Sequence, residues 1–401
     1  MMKIKNIQST FLPSPKEPKS KILEILTSRN IVLLLVTILL AIGVVMIYST
    51  SAMRRLDLAD PSKLLRKQIL WVSLSWTVLI LLWHTNYRDL YKYKNQIYAT
   101  VVLLLIAVLI PGIGAKINGA RRWLRLMGIG IQPSEIAKLV AILISASYVC
   151  QNQEKLHSFQ KAFLPMFSLI ALLAGLVLIE PDFGTALFIL TISSAIFIVG
   201  GTPLRHFLPL LLAGLPAITI AMIWKFDHVK SRLLVFLYPD LDPLNKGHQI
   251  RQSLIAIGSG GFSGLGLGAS RQKLFFLPED HTDFIFAIIA EELGLIGTWS
   301  LILLLLALLW WGRKIMNAAP DRFGRLLAFG ILFSLTLQSA LNIAVVTASI
   351  PTKGISLPFI SFGGSSMICS MAAVGILLNI ADSKRKKLCQ QLLPQPTPNP
   401  S

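Results

Sequence analysis

Runs of about 20 apolar residues recur along the whole chain, and this feature constrains the fold more than any other. A helix of about that length crosses the hydrocarbon core of a bilayer. Two of the runs are unambiguous, from Ile31 to Ile47 and from Leu301 to Trp311. We predict ten membrane-spanning helices, at approximately 30–50, 68–84, 96–113, 131–150, 163–180, 184–200, 207–225, 283–311, 323–350 and 363–382. The predicted fold class is therefore all-α, in a polytopic integral membrane protein.

Composition supports the same class. Hydrophobic types make up 54% of the 401 residues and charged types only 14%, whereas soluble domains contain about 25% charged residues. A disordered chain, a collagen and a disulfide-rich secreted domain are thereby excluded. The formal net charge is +19, but the basic residues are spread thinly between apolar runs, which argues against a nucleic-acid binder. Cys150, Cys369 and Cys389 form no C-x-x-C pair, so they indicate neither a zinc site nor a disulfide framework.

Ten spans return both termini to the same side of the membrane. We predict that this side is cytoplasmic, because a flexible basic leader (1–29) and a basic tail (383–401) flank the membrane domain (30–382). The longest outer loop, about 226–282, then connects spans 7 and 8, and a loop of that length is uncommon without a function. Its amphipathic stretch from Ile250 to Ile257 predicts a short helix on the membrane surface.

Charged residues inside or at the ends of spans need partners. Glu135 and Lys138 stand three residues apart, on one face of a helix. They either neutralise each other and hold span 4 against its neighbours, or line a polar cavity. Glu180 and Asp182 flank Pro181 at the end of span 5, where capping of the next helix and pairing with loop arginines are favoured over catalysis.

The densest polar cluster in the sequence runs from Glu279 to Asp283 and includes Asp280, His281 and Thr282. It stands at the outer mouth of span 8, and helical spacing would bring Asp283 to the face that carries Glu291. A carboxylate at the membrane interface beside an apolar wall is desolvated enough to act as a general base. The alternative is a set of interfacial caps and ion pairs.

A glycine-rich segment, 258–268, carries no nucleotide-loop signature. Its glycines would let backbone N–H groups approach an anion. Six outer cations accompany it from two loops, and they are Arg121, Arg122, Arg125, Arg251, Arg271 and Lys273. The set suits a diphosphate, or else contact with bulk anionic lipid. The last loop, 351–366, is too rich in proline and glycine to be one helix, and its Lys353 can add a donor to the same cavity.

Several of these segments together resemble the SEDS family (shape, elongation, division and sporulation proteins). The matching stretches are Gly119-Ala120-Arg121-Arg122-Trp123, Gln132-Pro133-Ser134-Glu135 with Lys138, Glu180-Pro181-Asp182-Phe183-Gly184-Thr185, Leu277 to Phe286 with Glu291-Glu292-Leu293-Gly294, and Pro351 to Ser366. They cover nearly the whole chain in family order and are specific in combination. Pro351-Thr352-Lys353-Gly354 is similar to the division branch of the family more than to the elongation branch. Phe362 and Asp280 depart from the commoner family residues.

The resemblance implies a glycosyltransferase of the bacterial inner membrane that polymerises lipid II into glycan strands at the division septum. It also implies a class B penicillin-binding transpeptidase and other divisome membrane proteins as partners. On this reading Asp283 matches the family's essential aspartate and is the catalytic residue. It would deprotonate the 4-hydroxyl of the acceptor sugar, and undecaprenyl diphosphate would leave.

The resemblance also assigns the substrate cavity. Its predicted residues are Arg121, Arg122, Trp123, Glu135, Lys138, Asp182, Glu279, His281, Lys353 and Ser365. No cofactor is certain, and a divalent cation, Mg²⁺ or Mn²⁺, is left open. Three other functions also remain open: an elongation polymerase, a lipid II flippase and a non-catalytic division scaffold.

Overall fold

The computed structural model describes residues 16–52, 63–117, 120–126, 129–209, 212, 234–236, 238, 246–273 and 281–392. Its helices are α1 (Lys16–Ala52), α2 (Lys63–His84), α3 (Tyr87–Lys92), α4 (Lys94–Leu109), α5 (Pro133–Gln151), α6 (Leu164–Ile179), α7 (Phe183–Val199), α8 (Lys246–Gly260), α9 (Ile285–Asn317), α10 (Arg322–Val346) and α11 (Gly364–Leu392). A short π-helix, Phe159–Phe163, leads into α6.

Seven helical segments in the described part of the chain are long and apolar enough to cross a membrane, and α4 and α7 are shorter apolar helices. Together they overlap nine of the ten predicted spans. The seventh predicted span, 207–225, lies almost wholly outside the described residues. The protein is thus a multi-pass membrane protein. Helix α1 begins at Lys16, so part of the predicted leader is helical, and α11 continues into the predicted tail as far as Leu392.

The all-α prediction is wrong for the segment between α4 and α5. That segment forms a three-stranded antiparallel sheet, with β1 (Gly114–Ile117), β2 (Ala120–Leu126) and β3 (Ile129–Ile131) in that order. The register places Lys116 opposite Arg121 and Leu124 opposite Ile131. The sequence did contain a signal, because Asn-Gly between two short runs is typical of a tight hairpin.

Helices α5 and α11 form the interior of the bundle, with 72% and 83% of their most apolar windows buried. Small residues let α11 approach α2 closely. A Cβ atom on Gly364 would stand 2.2 Å from the Trp71 ring, and one on Gly375 would stand 2.6 Å from the carbonyl oxygen of Leu79. Gly364 and Gly375 thus allow α11 to pack closely on α2.

Helix α9 is interrupted at Gly294, which has φ +63°. The glycine-rich segment after α8 packs against this kink, and a Cβ on Gly294 would meet the backbone nitrogen of Gly264 at 2.3 Å. The N–H groups of Leu265 and Gly266 donate to the carbonyls of Glu291 and Glu292, both at 3.0 Å. The segment therefore fastens α8 to α9, and the prediction that these N–H groups cradle an anion is wrong.

Candidate active site at the Asp283 turn

Asp283 lies in a turn, 281–284, that leads into α9. The part of the last loop that precedes α11, 351–363, packs against this turn. The backbone N–H of Phe362 donates to the carbonyl of His281 at 2.9 Å, and the two aromatic rings lie 5.6 Å apart. Because Asp283 precedes the first residue of α9, the helical spacing predicted between Asp283 and Glu291 does not apply.

The Asp283 carboxylate lies directly against the backbone of the last loop. A Cβ atom on Gly354 would stand 3.1 Å from Oδ2 of Asp283, tighter than ordinary van der Waals contact. A side chain at position 354 would require the carboxylate to move by a few tenths of an ångström. Gly354 follows Lys353, so the loop brings a lysine next to the residue that touches the carboxylate.

Asn342, which is buried in α10, joins the Asp283 turn to the last loop. Its Nδ2 atom donates to the backbone carbonyl of Asp283 at 2.8 Å and to that of Ile355 at 2.7 Å. One amide group thus fixes the turn that carries Asp283 relative to the loop that carries Gly354.

Lys353 also brings the last loop to the start of α7. The side chains of Lys353 and Asp182 both lie 3.7 Å from the point where a Gly184 side chain would begin. Asp182 caps α7 by accepting from the backbone N–H of Thr185 at 3.1 Å and from its hydroxyl at 2.9 Å. The predicted capping role of Asp182 is confirmed.

Arg122 connects β2 to the same turn. Its guanidinium donates to the backbone carbonyls of Glu180, at 3.0 Å, and Pro181. It also lies 4.0 Å from a carboxylate oxygen of Asp182. Arg122, Asp182 and Lys353 therefore lie near one another at the start of α7, beside the loop against which Asp283 lies.

The predicted pair of Glu135 and Lys138 is confirmed, with the Lys138 amine 2.9 Å from the Glu135 carboxylate. Lys138 also donates to Oε1 of Gln338 at 3.2 Å, and Nε2 of Gln338 donates to the carbonyl of Ser356 at 2.9 Å. The pair therefore belongs to a polar network that links α5, α10 and the last loop. It supports the loop that packs on Asp283.

Ser365 and Trp123 support the sheet. The Ser365 hydroxyl accepts a hydrogen bond from the backbone N–H of Gln132 at 2.9 Å, which joins the start of α11 to the residue after β3. A Cβ atom on Gly130 would stand 3.3 Å from the Trp123 ring. Both residues lie at the sheet, on the side of the bundle where Arg122 approaches Asp182.

The structure separates other predicted site residues. Arg121 does not join Arg122 at Asp182. It lines a separate pocket together with Lys116. Lys273 is fully buried, 2.7 Å from a carboxylate oxygen of Glu292, and the Ser49 hydroxyl donates to the same carboxylate at 2.7 Å. The prediction of Lys273 as a cation for the substrate is therefore wrong. Glu279 lies outside the described residues.

Glu291 is also a structural anchor. Its carboxylate accepts from the Ser270 hydroxyl and from the backbone N–H groups of Arg271, at 2.9 Å, and Gln272, at 3.3 Å. Glu291 and Glu292 thus tie the segment after α8 to α9, so neither is free to act beside Asp283.

Glu180 differs from Asp182. It is fully buried, and within the described residues neither of its carboxylate oxygens has a hydrogen-bond partner. Burial, together with the nearby Asp182 carboxylate, raises the pKa of Glu180 to about 8, although the Arg122 charge opposes the shift. The prediction that Glu180 acts as a cap or pairs with an arginine side chain through its carboxylate is wrong.

Two important residues, Asn342 and Gln338, were missed by sequence analysis. They lie four residues apart in α10, so they face the same side of the helix. Polar amides inside an apolar span are costly unless they are hydrogen-bonded, and this pair was the available signal.

The arrangement combines a carboxylate with nearby cations at one end of the bundle. A carboxylate can take a proton from a hydroxyl group, and Lys or Arg can stabilise charge that develops on a phosphate leaving group. No three His, Cys, Asp or Glu side chains among the described residues stand close enough to hold a metal ion.

A family model described as a cell cycle protein, FtsW/RodA/SpoVE, matches residues 29–386. The chain is 41% identical over 352 residues to a probable peptidoglycan glycosyltransferase FtsW of Geobacter metallireducens, covering 88% of this chain and 94% of the relative. It is 37% identical to stage V sporulation protein E of Bacillus subtilis, covering 90% of this chain and 98% of that protein.

Two solved structures are similar at 30% identity. The first is described as "Structural coordination of polymerization and crosslinking by a peptidoglycan synthase complex". Its TM-score is 0.69, and the match covers 88% of this chain and 97% of the other. The second is the rod shape determining protein RodA of Thermus thermophilus, with a TM-score of 0.62 over 88% of this chain and 96% of the other.

Proposed function

The chain belongs to the FtsW/RodA/SpoVE family of cell cycle proteins, and we propose that it is a peptidoglycan glycosyltransferase of cell division. Relatives at about 40% identity over most of the chain carry the name peptidoglycan glycosyltransferase FtsW. The observation that carries the proposal is the position of Asp283, whose carboxylate lies against Gly354 in the loop that also brings Lys353. This arrangement supplies a base and a nearby cation.

The proposed reaction joins two lipid II molecules. Asp283 takes the proton of the 4-hydroxyl of the acceptor sugar while that oxygen forms a bond to the anomeric carbon of the donor. The bond between the anomeric carbon and the diphosphate breaks, and undecaprenyl diphosphate leaves with the bonding electrons. Arg122 and Lys353 stabilise the negative charge on the leaving group.

The residues around these groups hold them in place. Asn342 and Gln338 fix the last loop, and the pair of Glu135 and Lys138 supports it from α5. Asp182 caps α7 and lies beside Arg122, which orients that cation. Within the described residues, the carboxylates do not form a group of three ligands for a divalent cation.

The topology belongs to the same proposal. We place ten spans in the bacterial inner membrane, with both termini in the cytoplasm and the Asp283 turn on the outer face, at the division septum. The basic leader and tail support this orientation. A class B penicillin-binding transpeptidase is the proposed partner, supported by similarity to a structure described as part of a peptidoglycan synthase complex.

The test uses the purified full chain with its partner transpeptidase and lipid II. Wild type is expected to make glycan strands, whereas Asp283→Ala is expected to make none. Polymer made equally by the variant would refute the assignment of the base, and lipid transport in liposomes without polymer would support a flippase. Depletion in cells is expected to give filaments, and round cells would indicate an elongation polymerase instead.

A further inference from the structure

The pocket lined by Lys116 and Arg121 has a volume of about 350 Å³ and opens at the same end of the bundle as Asp283. It lies between the end of α4, the hairpin of β1 and β2, and the turn between α6 and α7. Its charged lining residues are Lys116, Arg121 and Glu180. Arg121 lines the pocket, whereas Arg122, which the register leaves unpaired at an irregularity of the β1–β2 pair, is not among the lining residues. The pocket adjoins the contacts of Arg122, because the carbonyls of Glu180 and Pro181 that accept from Arg122 belong to residues that line the pocket.

Lys116 and Arg121 occupy directly opposed positions on β1 and β2. Like charges in such positions destabilise a strand pair. Neither side chain makes a hydrogen bond or an ion pair within the part of the chain that the structure describes. Within the described residues, two positive charges thus face one pocket without a counterion, and an anionic ligand would relieve their repulsion.

Glu180 does not supply the missing negative charge. Its carboxylate is enclosed and forms no ion pair with Lys116 or Arg121. Because burial raises its pKa to about 8, the group is mostly protonated at neutral pH. Glu180 therefore leaves the charges of Lys116 and Arg121 largely uncompensated.

The pocket lies at the ends of two apolar helices, where a membrane-spanning bundle is expected to meet the lipid head groups. Leu109 is the last residue of α4 and Ile179 is the last residue of α6, and both line the pocket. Ile179 is 64% exposed, as expected for a side chain that faces acyl chains. A ligand here meets an apolar wall on one side and two cations on the other, which matches an anionic lipid.

We propose that this pocket binds the phosphate group of a membrane lipid, with Lys116 and Arg121 as charge-assisted donors. An acyl chain would then extend along α4 and α6. The phosphate could belong to an ordinary anionic phospholipid or to a polyprenyl diphosphate, since both present the same charged oxygens. The proposal does not depend on the proposed function, because it needs only the pocket and its depth.

The test is native mass spectrometry of the full chain in detergent, titrated with phosphatidylglycerol, phosphatidylcholine or undecaprenyl diphosphate. Arg121→Gln is compared with Arg125→Gln, which removes the same charge from the same strand, opposite Gly130 and outside the pocket. Arg121→Gln is expected to weaken phosphatidylglycerol binding about tenfold, since hydrogen bonds to charged groups contribute about 1.5–3 kcal/mol. Arg125→Gln should stay within about twofold of wild type.

Lys116→Gln is a second variant, on the other strand of the hairpin, and it should weaken binding as Arg121→Gln does. Tighter binding of undecaprenyl diphosphate than of phosphatidylglycerol, lost in the same variants, would identify a polyprenyl diphosphate as the ligand. The reverse order would identify ordinary phospholipid. Equal effects of Arg121→Gln and Arg125→Gln, or phosphatidylcholine binding as tight as that of phosphatidylglycerol, would overturn the proposal.

Discussion

The side-chain amide of Asn342 donates a hydrogen bond of 2.8 Å to the backbone carbonyl of Asp283. The same nitrogen donates to the carbonyl of Ile355 at 2.7 Å. A residue buried in α10 therefore sets the distance between the proposed base and the loop that covers it. Asn342 touches no substrate atom in this account and acts as a positioning residue.

Replacing Asn342 should impair catalysis more than stability. In Asn342→Ala both carbonyls lose their donor, and a shift of the Asp283 turn by about 1 Å is enough to reduce the rate by tenfold or more. We expect a lower kcat for glycan polymerisation with little change in KM for lipid II.

Asn379→Ala is the matched control. Asn379 is also buried, and its amide donates to the carbonyl of Trp83 at 2.6 Å, near the middle of α11 and about four turns from its start near Asp283. Both variants should unfold at similarly reduced temperatures, because each loses comparable hydrogen bonds. Equal losses of kcat in the two variants would show that Asn342 acts only through stability.

A second prediction concerns the contact between Gly354 and Asp283. A methyl group on Gly354 would stand 3.1 Å from Oδ2 of Asp283, so Gly354→Ala should displace the carboxylate and lower polymerisation by about tenfold or more. Gly363→Ala is the control in the same loop, since its nearest neighbour would be Ser366 Cβ at an ordinary 3.8 Å. Wild-type activity in Gly354→Ala would show that the carboxylate does not need this contact.

A third prediction concerns the buried ion pair of Lys273 and Glu292, whose side chains are fully enclosed. Removing one partner leaves an uncompensated charge, so Glu292→Gln or Lys273→Met alone should lower the free energy of unfolding by about 3–5 kcal/mol. The double variant Lys273→Met with Glu292→Met should be more stable than either single variant.

The measurement for this pair is thermal unfolding in detergent micelles. Glu24→Gln is the control, because it breaks an exposed pair with Lys314 that is 3.9 Å long and should contribute less than about 1 kcal/mol. If Glu292→Gln and Lys273→Met alone are as stable as Glu24→Gln, the ion pair does not hold the segment after α8 to α9.

How far the sequence predicted the molecule depends on the kind of signal. Apolar runs report burial in lipid directly, and nine of the predicted spans overlap helices in the described residues. The spacing of Glu135 and Lys138 predicted their pair because both lie on one helix. The sheet was missed because the hydropathy argument assigned everything between spans 3 and 4 to a loop.

The site was harder to predict because it depends on contacts between distant segments. Charge and motif order brought Asp283, Asp182, Arg122 and Lys353 into one hypothesis, and the structure connects these segments. Composition could not tell Lys273 from the other cations, since its burial follows from the position of Glu292 across the fold.

The glycine-rich segment illustrates the same limit. Glycine permits close approach of any group, and sequence alone does not say which group approaches. Here the approaching group is the backbone of the α9 kink at Gly294, not an anion.

A fourth prediction is a pH dependence of stability that originates at Glu180. Its pKa is raised from 4.5 to about 8 in the folded protein, so the folded state keeps a proton that the unfolded chain releases. This contribution to stability is fully present below pH 4.5 and is lost as the pH rises towards about 8. Glu180→Gln cannot ionise and should remove this part of the slope.

The measurement is the unfolding temperature of wild type and Glu180→Gln at several pH values between 5 and 9. The variant should gain stability relative to wild type as the pH rises. A difference between the two proteins that does not change with pH would contradict the raised pKa.

The proposed mechanism makes Asp283 the general base in glycan polymerisation. The most direct measurement is the single-turnover rate of lipid II polymerisation by wild type and Asp283→Asn, each with the partner transpeptidase, together with lipid II binding to each. Asn has nearly the same shape as Asp but cannot accept the proton, and a general base contributes about 10²–10⁴ in rate. We predict a rate loss of that size with lipid II affinity retained. Polymerisation by Asp283→Asn at the wild-type rate would show that Asp283 is not the general base.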